Sequence, residues 1–127
     1  MKIVITVGIA MGLAAGLGFA IDRDDPDMFH GQLMDASCYN QNQTSDTGKI
    51  WVTCAPKDST TSFAIHTDGR IRMLDAAGNS KAQTAVQQNM LKRDPNGDMP
   101  VVIDGWRQGD TIQVEGIRAR GSQVSLH

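Results

Sequence analysis

Thr60-Thr61-Ser62-Phe63-Ala64-Ile65-His66-Thr67-Asp68-Gly69-Arg70-Ile71-Arg72-Met73 reads as two strands joined by a two-residue turn. Phe63 and Ile65 recur with a period of two, which is the period of a half-buried strand. Asp68-Gly69 between two such runs is a strong short-range hairpin signal, because both central residues of the favoured turn need a positive φ. Apolar alternation then puts Phe63, Ile65, Ile71 and Met73 on the inner face. It points Arg70 and Arg72 outward.

The chain after this hairpin supplies the rest of the fold. Asp75-Ala76-Ala77-Gly78-Asn79-Ser80 reads as a turn. Ser80 and Gln83 have capping-box spacing, and Ala82, Ala85, Val86 and Met90 recur at helical spacing, which predicts a helix of about ten residues. Lys92 and Arg93 suit a helix C-terminus, and Pro95 disfavours helical geometry at Asp94. Pro100 to Trp106 is a strand with proline at its first position, where the missing N–H is tolerated. Gln108-Gly109-Asp110 turns the chain into a last strand, Thr111 to Ile117, with Ile112 and Val114 inward. Ile117 is out of phase by one residue and follows Gly116, a pattern that suggests a β-bulge.

Before the hairpin, Phe29 to Asp35 is a first strand. The order is therefore three strands, a helix and two strands. A helix between the third and fourth of five short strands is the order of an OB-fold, a mainly β architecture that closes into a small barrel. An α+β sheet with the helix packed on one face fits the same order.

Between the first two strands, Ala36 to Cys54 forms a polar loop bracketed by the chain's two cysteines, Cys38 and Cys54. Residues 40–48 contain no apolar side chain, so burial cannot hold them in place. A Cys38–Cys54 disulfide would, contributing about 3 kcal/mol in the chain-entropy model. Ile50-Trp51-Val52 is the apolar exception and reads as a short strand or helical turn docked on the core. A redox-active or metal-binding role for the pair is the competing reading. The spacing is not Cys-x-x-Cys, and no further cysteine or paired histidine completes a tetrahedral site.

The start of the chain gives a compartment. Lys2, an apolar run from Ile3 to Phe19 and a Gly18-Phe19-Ala20 end precede an abrupt polar stretch at Ile21. That is the pattern of a secretory signal peptide cleaved after Ala20, and it suits a disulfide. An uncleaved membrane anchor is the alternative, since the run is about long enough to span a bilayer. The expected organisation is a signal peptide at 1–20, a flexible leader at 21–28, the β domain at 29–120 and a tail at 121–127. The expected location is the periplasm or the exterior, with no membrane span after cleavage.

Residues 21–127 carry seven Arg, four Lys, thirteen Asp and one Glu, a net charge of −3. A nucleic-acid partner is not expected from that balance, nor from five aromatic residues in the same stretch.

Gly31-Gln32-Leu33-Met34-Asp35-Ala36-Ser37-Cys38, Cys54, Thr60 to Ile65, Asp68-Gly69, Leu74 to Asn79 and the Gly-Asp-Thr-Ile-Gln-Val core within Gly105 to Ile117 resemble a group of small exported bacterial proteins of unknown function with an OB-like barrel domain. The resemblance covers most of residues 29–117. It consists of turns, strand ends and cysteines, so it implies a fold and a bacterial source. It brings no catalytic residue.

Other constellations are thin. Asp94-Pro95-Asn96-Gly97-Asp98 places oxygen side chains at alternate positions, as a calcium loop does. Met99 and Gly105 then stand where that loop needs Gly and Glu, and a plain turn is the expectation. His30, His66 and His127 share no metal-ligand spacing, and His66 reads as an exposed strand end. Asp35 and Asp104 are the one candidate acid pair. No serine elbow or phosphate loop is present, and no metal or cofactor is implied. Tyr39 and Trp51 in the bracketed loop, with Trp106 and Arg107 beside the Gln108-Gly109-Asp110 turn, are the candidate contacts for a sugar or peptide. The competing expectation is that both tryptophans fill the core. The functional reading is an exported, non-enzymatic binding or accessory module for a small ligand or protein. The alternatives are a structural or interaction protein of the cell envelope and, last, a hydrolase using acidic side chains.

Overall fold

The computed structural model describes residues 25–42 and 50–121. The expected signal peptide, the first leader residues 21–24, most of the polar run inside the bracketed loop and the end of the tail with Val124, Leu126 and His127 lie outside these residues. Among the described residues, five strands and three helices follow in order: β1 (Asp27–Asp35), α1 (Ala36–Gln41), α2 (Ile50–Thr53), β2 (Phe63–Thr67), β3 (Arg70–Leu74), α3 (Ala76–Gln87), β4 (Pro100–Gln108) and β5 (Thr111–Ala119). The strands close into a barrel in the order β1-β2-β3-β5-β4, with β4 returning to β1. Every neighbouring pair is antiparallel except β3 and β5, which run parallel through Met73–Thr111 and Leu74–Ile112. This is the five-stranded, OB-like barrel with its main helix between the third and fourth strands, and the open α+β sheet is set aside.

Closure depends on β1 serving two neighbours. Asp27 to Gln32 pair with β4, and Gln32 to Asp35 pair with β2. The strand thus begins two residues before Phe29, inside the expected leader. The handover falls beside Gly31, where a Cβ would stand 2.0 Å from the carbonyl oxygen of His66. Only glycine admits that approach of two backbones.

The β2–β3 turn forms as expected, with Asp68 at φ 52° and Gly69 at φ 75°. Its register corrects the alternation argument. A two-residue turn pairs Thr67 with Arg70, His66 with Ile71, Ile65 with Arg72 and Ala64 with Met73. Directly opposed residues share a face. Arg72 therefore turns inward with Ile65, and Ile71 and Met73 turn outward with His66 and Ala64. Arg72 is 9% exposed, and its guanidinium donates to the Gly109 carbonyl at 2.7 Å. Its aliphatic stem lies along the barrel interior while its polar head meets the β4–β5 turn.

Helix α3 starts five residues earlier than the capping box suggests. Asp75 is its N-cap, accepting from the Gly78 N–H at 2.8 Å, and the same carboxylate oxygen accepts from the Val114 N–H of β5. Ser80 and Gln83 are simply inside the helix. The end also comes earlier than Pro95. Asn89 takes φ 56°, Met90 N–H bonds Ala85 O, and Asn89 N–H bonds Val86 O. That pair of bonds is a Schellman motif, which stops a helix by itself. The stop swings Met90 out to 36% exposure and puts Leu91 inside. The buried face of α3 packs chiefly on β5, with Ala82, Ala85 and Val86 entering the core.

The expected bulge is present: Asp104 pairs with Gly116 and Gly105 with Val114, leaving Glu115 as the extra residue. It resets the phase so that Ile117 joins Ile112 and Val114 inside. The core is built from Phe29, Leu33, Phe63, Ile65, Ile103 and their neighbours. Neither tryptophan belongs to it; both are half-buried. The expectation that they fill the core is overturned, because the aliphatic side chains and α3 already occupy that space.

Candidate functional site

Ile71 and Met73 are apolar yet lie on the outside of the barrel, so the outer face of β2–β3 needs a cover. The segment between β1 and β2 supplies part of it. Met34 of β1 and Ala64 of β2 oppose one another on this outer face, and both are fully buried although neither belongs to the main core. Ala36 and Cys54 are buried beside the same segment, also outside the main core. The bracketed loop is thus helical at both ends, through α1 and α2, and both helices pack on β1.

Two devices hold this lid. One is covalent: Cys38 in α1 and Cys54 just after α2 form the expected disulfide, with a Cα–Cα separation of 5.4 Å. The other centres on Asp35, the last residue of β1. One carboxylate oxygen caps α1 by accepting from the Cys38 N–H at 2.9 Å, and the other accepts from the Thr60 hydroxyl at 2.7 Å. The Asp35 N–H donates to the Cys54 carbonyl at 2.7 Å. Asp35 therefore ties together the start of the lid, its far end and the approach to β2.

The lid sets two aromatic rings on the β2–β3 face. The indole of Trp51 stacks on the imidazole of His66, with centroids 4.3 Å apart and planes inclined by 26°. His66 is half-buried rather than the exposed strand end expected, and burial lowers its pKa below the ordinary 6.5. Tyr39 closes one side of an open depression of about 520 Å³, whose other lining residues are Gly69, Arg70, Ile71, Met73 and Asp110. The floor is aliphatic and thioether. The rim carries a phenol, a guanidinium at the β2–β3 turn and a carboxylate at the β4–β5 turn. Arg70 and Asp110 are both exposed. Ile71, which lines the depression, is directly opposite His66, so the stacked pair lies next to the depression on the same hairpin face.

The four residues expected to share a site divide into two groups. Tyr39 lines the depression, and Trp51 meets the β2–β3 face beside it through His66 without lining it. Trp106 and Arg107 do not line the depression. Trp106 is half-buried opposite Gln113 of β5, and the Arg107 guanidinium lies over the Phe29 ring, 5.9 Å from its centroid. Residues 69, 70, 71, 73 and 110 were missed. The signal was available: a two-residue turn fixes the pairing, and the pairing sends two apolar side chains outward.

The Asp35–Asp104 pair does not form. Asp104 is opposite Met28, seven residues along β1 from Asp35, which is roughly 20 Å of strand. It is bonded to Arg118 at 2.7 Å. The Asp94–Asp98 segment is a turn closed by Gly97 N–H to Asp94 O and Asp94 N–H to Asp98 O. Asp98 is buried, and its Oδ1 has no hydrogen-bond partner among the described residues. No group of three His, Cys, Asp or Glu side chains among the described residues converges as a metal site. No described helix is long and apolar enough to cross a membrane. Neither a family model, nor a curated protein, nor a solved structure matches this chain.

Proposed function

We propose that this protein is an exported, non-enzymatic binding module that takes a small ligand, of the size of a short oligosaccharide, on the outer face of β2–β3. The observation that carries this is the outward pair Ile71 and Met73, flanked by Tyr39, Arg70 and Asp110 in one depression. Outward apolar residues in a concave surface with a few polar groups at the rim are the make-up of a ligand site, and about 520 Å³ is within the usual size range. In OB barrels the strand 2–3 face and the loops after strands 1 and 4 are where ligands meet the fold, and both loops contribute here, through Tyr39 and Asp110.

Tyrosine presents a flat apolar ring with a polar tip, which suits the mixed faces of a sugar. A single-stranded nucleic acid is disfavoured by the net charge of −3 on residues 21–127, because phosphate neutralisation supplies most of the affinity of such complexes. A binding role is favoured over a catalytic one by the lining, which holds one carboxylate and no histidine, cysteine or serine. Export through the N-terminal signal, into the oxidising setting with which the disulfide is compatible, completes the reading. Intact mass of the exported protein tests it: a chain beginning at Ile21 is expected, and recovery only of membrane-bound full-length protein would contradict it. Ligand binding is tested by isothermal titration of an N-acetylglucosamine tetramer into the wild type and Tyr39→Ala, with binding expected only in the former.

A further inference from the structure

Both aromatic residues of the β2–β3 face are placed by the disulfide. Tyr39 adjoins Cys38, and Trp51 is three residues, one helical turn, before Cys54, whose N–H closes that turn on the Ile50 carbonyl. Apart from the Asp35 bonds and the Trp51–His66 stack, the helices that carry them have few anchors of their own. Helix α1 has six residues and buries only Ala36; α2 has four and buries none. Helices this short are unstable alone in water. The barrel is different: its core and strand ladders contain neither cysteine. The bond is also accessible from one side, because Cys54 is 1% exposed whereas Cys38 is half-buried.

We propose that the Cys38–Cys54 disulfide is a reducible site that gates the aromatic face: intact, it holds Tyr39 and Trp51 on β2–β3, and reduction by a dithiol releases them while the barrel persists. A thiolate of the dithiol attacks Cys38 Sγ and displaces Cys54 as a thiolate, which takes up a proton. The second thiol of the reductant then resolves the mixed disulfide. The reductant leaves as its own disulfide, and the protein gains two electrons and two protons as two thiols. The consequence for binding rests on the ligand reading above; the release of the lid does not.

The test is NMR of the full mature chain before and after dithiothreitol, with thiol titration confirming two free thiols. Trp51 indole and the backbone amides of α1 and α2 are expected to shift, and their hydrogen exchange to accelerate by about tenfold or more, as for a locally opened segment. Core amides of Ile65, Ile103 and Ile112 are expected to stay protected. The Cys38→Ser/Cys54→Ser double variant should reproduce the reduced spectrum without reductant. An unchanged Trp51 and lid in the reduced protein would overturn the gate, as would a barrel whose core amides become as unprotected as those of the lid. In a second arm, the N-acetylglucosamine tetramer should bind the oxidised form at least tenfold more tightly; equal affinity for both forms would overturn the gate. Binding to neither form would overturn the ligand reading alone, since the lid is scored separately.

Discussion

Trp51 and His66 stack face to face at 4.3 Å, joining a lid helix to the outer side of the β2–β3 hairpin. The contact explains why a histidine near a turn is half-buried and why its imidazole resists protonation.

Stability is expected to depend on pH through this contact. The folded-state pKa of His66 is lowered, so the unfolded chain binds the proton more readily. The stabilisation is fully present above the unfolded value near 6.5 and is lost as pH falls through the folded value. Urea midpoints measured from pH 8 downward should decline below about 6.5. His66→Gln should remove that part of the decline. Trp51→Ala should raise the His66 pKa towards its ordinary value, as read by NMR titration of the imidazole.

The inward position of Arg72 gives a second test. Arg72→Ala removes the donor to the Gly109 carbonyl and part of the barrel lining, and is expected to cost about 1–3 kcal/mol. Arg70→Ala, on the exposed side of the turn, should stay within about 0.5 kcal/mol. Ile65→Ala should cost about 2–5 kcal/mol, and Ile71→Ala clearly less. Chemical denaturation of the four variants reads the register directly; a severe Ile71→Ala with a neutral Arg72→Ala would reverse it.

Much of this architecture is legible in the sequence, and the misses share one cause. The strand and helix order, the Asp68-Gly69 turn, the bulge near Gly116 and the disulfide all follow from local chemistry. The errors arise where the hydrophobic pattern is weighed against a local geometric rule. Apolar alternation sends Ile71 and Met73 inward, but turn length sends them outward. Ser80 and Gln83 satisfy a capping pattern, but Asp75 lies seven residues before Ala82, the first of the apolar stripe, and caps first, with Val114 of β5 sharing its carboxylate. Asn89 ends the helix through a positive φ that no periodicity reports. The site was half legible, because Tyr39 and Trp51 stand out by type. Its floor is visible only once the register is right, and the separation of Trp106 and Arg107 from the depression is a matter of tertiary placement.

Gly31 is expected to be the most sensitive glycine among the described residues. Its added Cβ meets backbone, the His66 carbonyl, which cannot swing aside as a flexible side chain can. Gly31→Ala should cost at least the ~1–3 kcal/mol of an overpacked core and disturb the β1–β2 junction. At Gly109, with φ 63° and nothing within 4 Å, alanine meets only backbone strain, and about 1 kcal/mol is expected. Thermal denaturation of the pair ranks them.

Replacing both cysteines by Ala should lower stability by about 2–4 kcal/mol, the usual range for a native staple. Thiol labelling of the unreduced native protein should find no reactive cysteine, in keeping with the absence of free cysteines in the structure.

The most direct test of the central claim is a ¹⁵N NMR titration of the oxidised protein with the N-acetylglucosamine tetramer. The account predicts shifts confined to Tyr39, Gly69, Arg70, Ile71, Met73, Asp110 and the Trp51 indole, and their loss in Ile71→Asp, which puts a charge on the apolar floor without touching the core. No shift at these positions, or shifts centred on Met28 and Trp106 across the barrel, would contradict it.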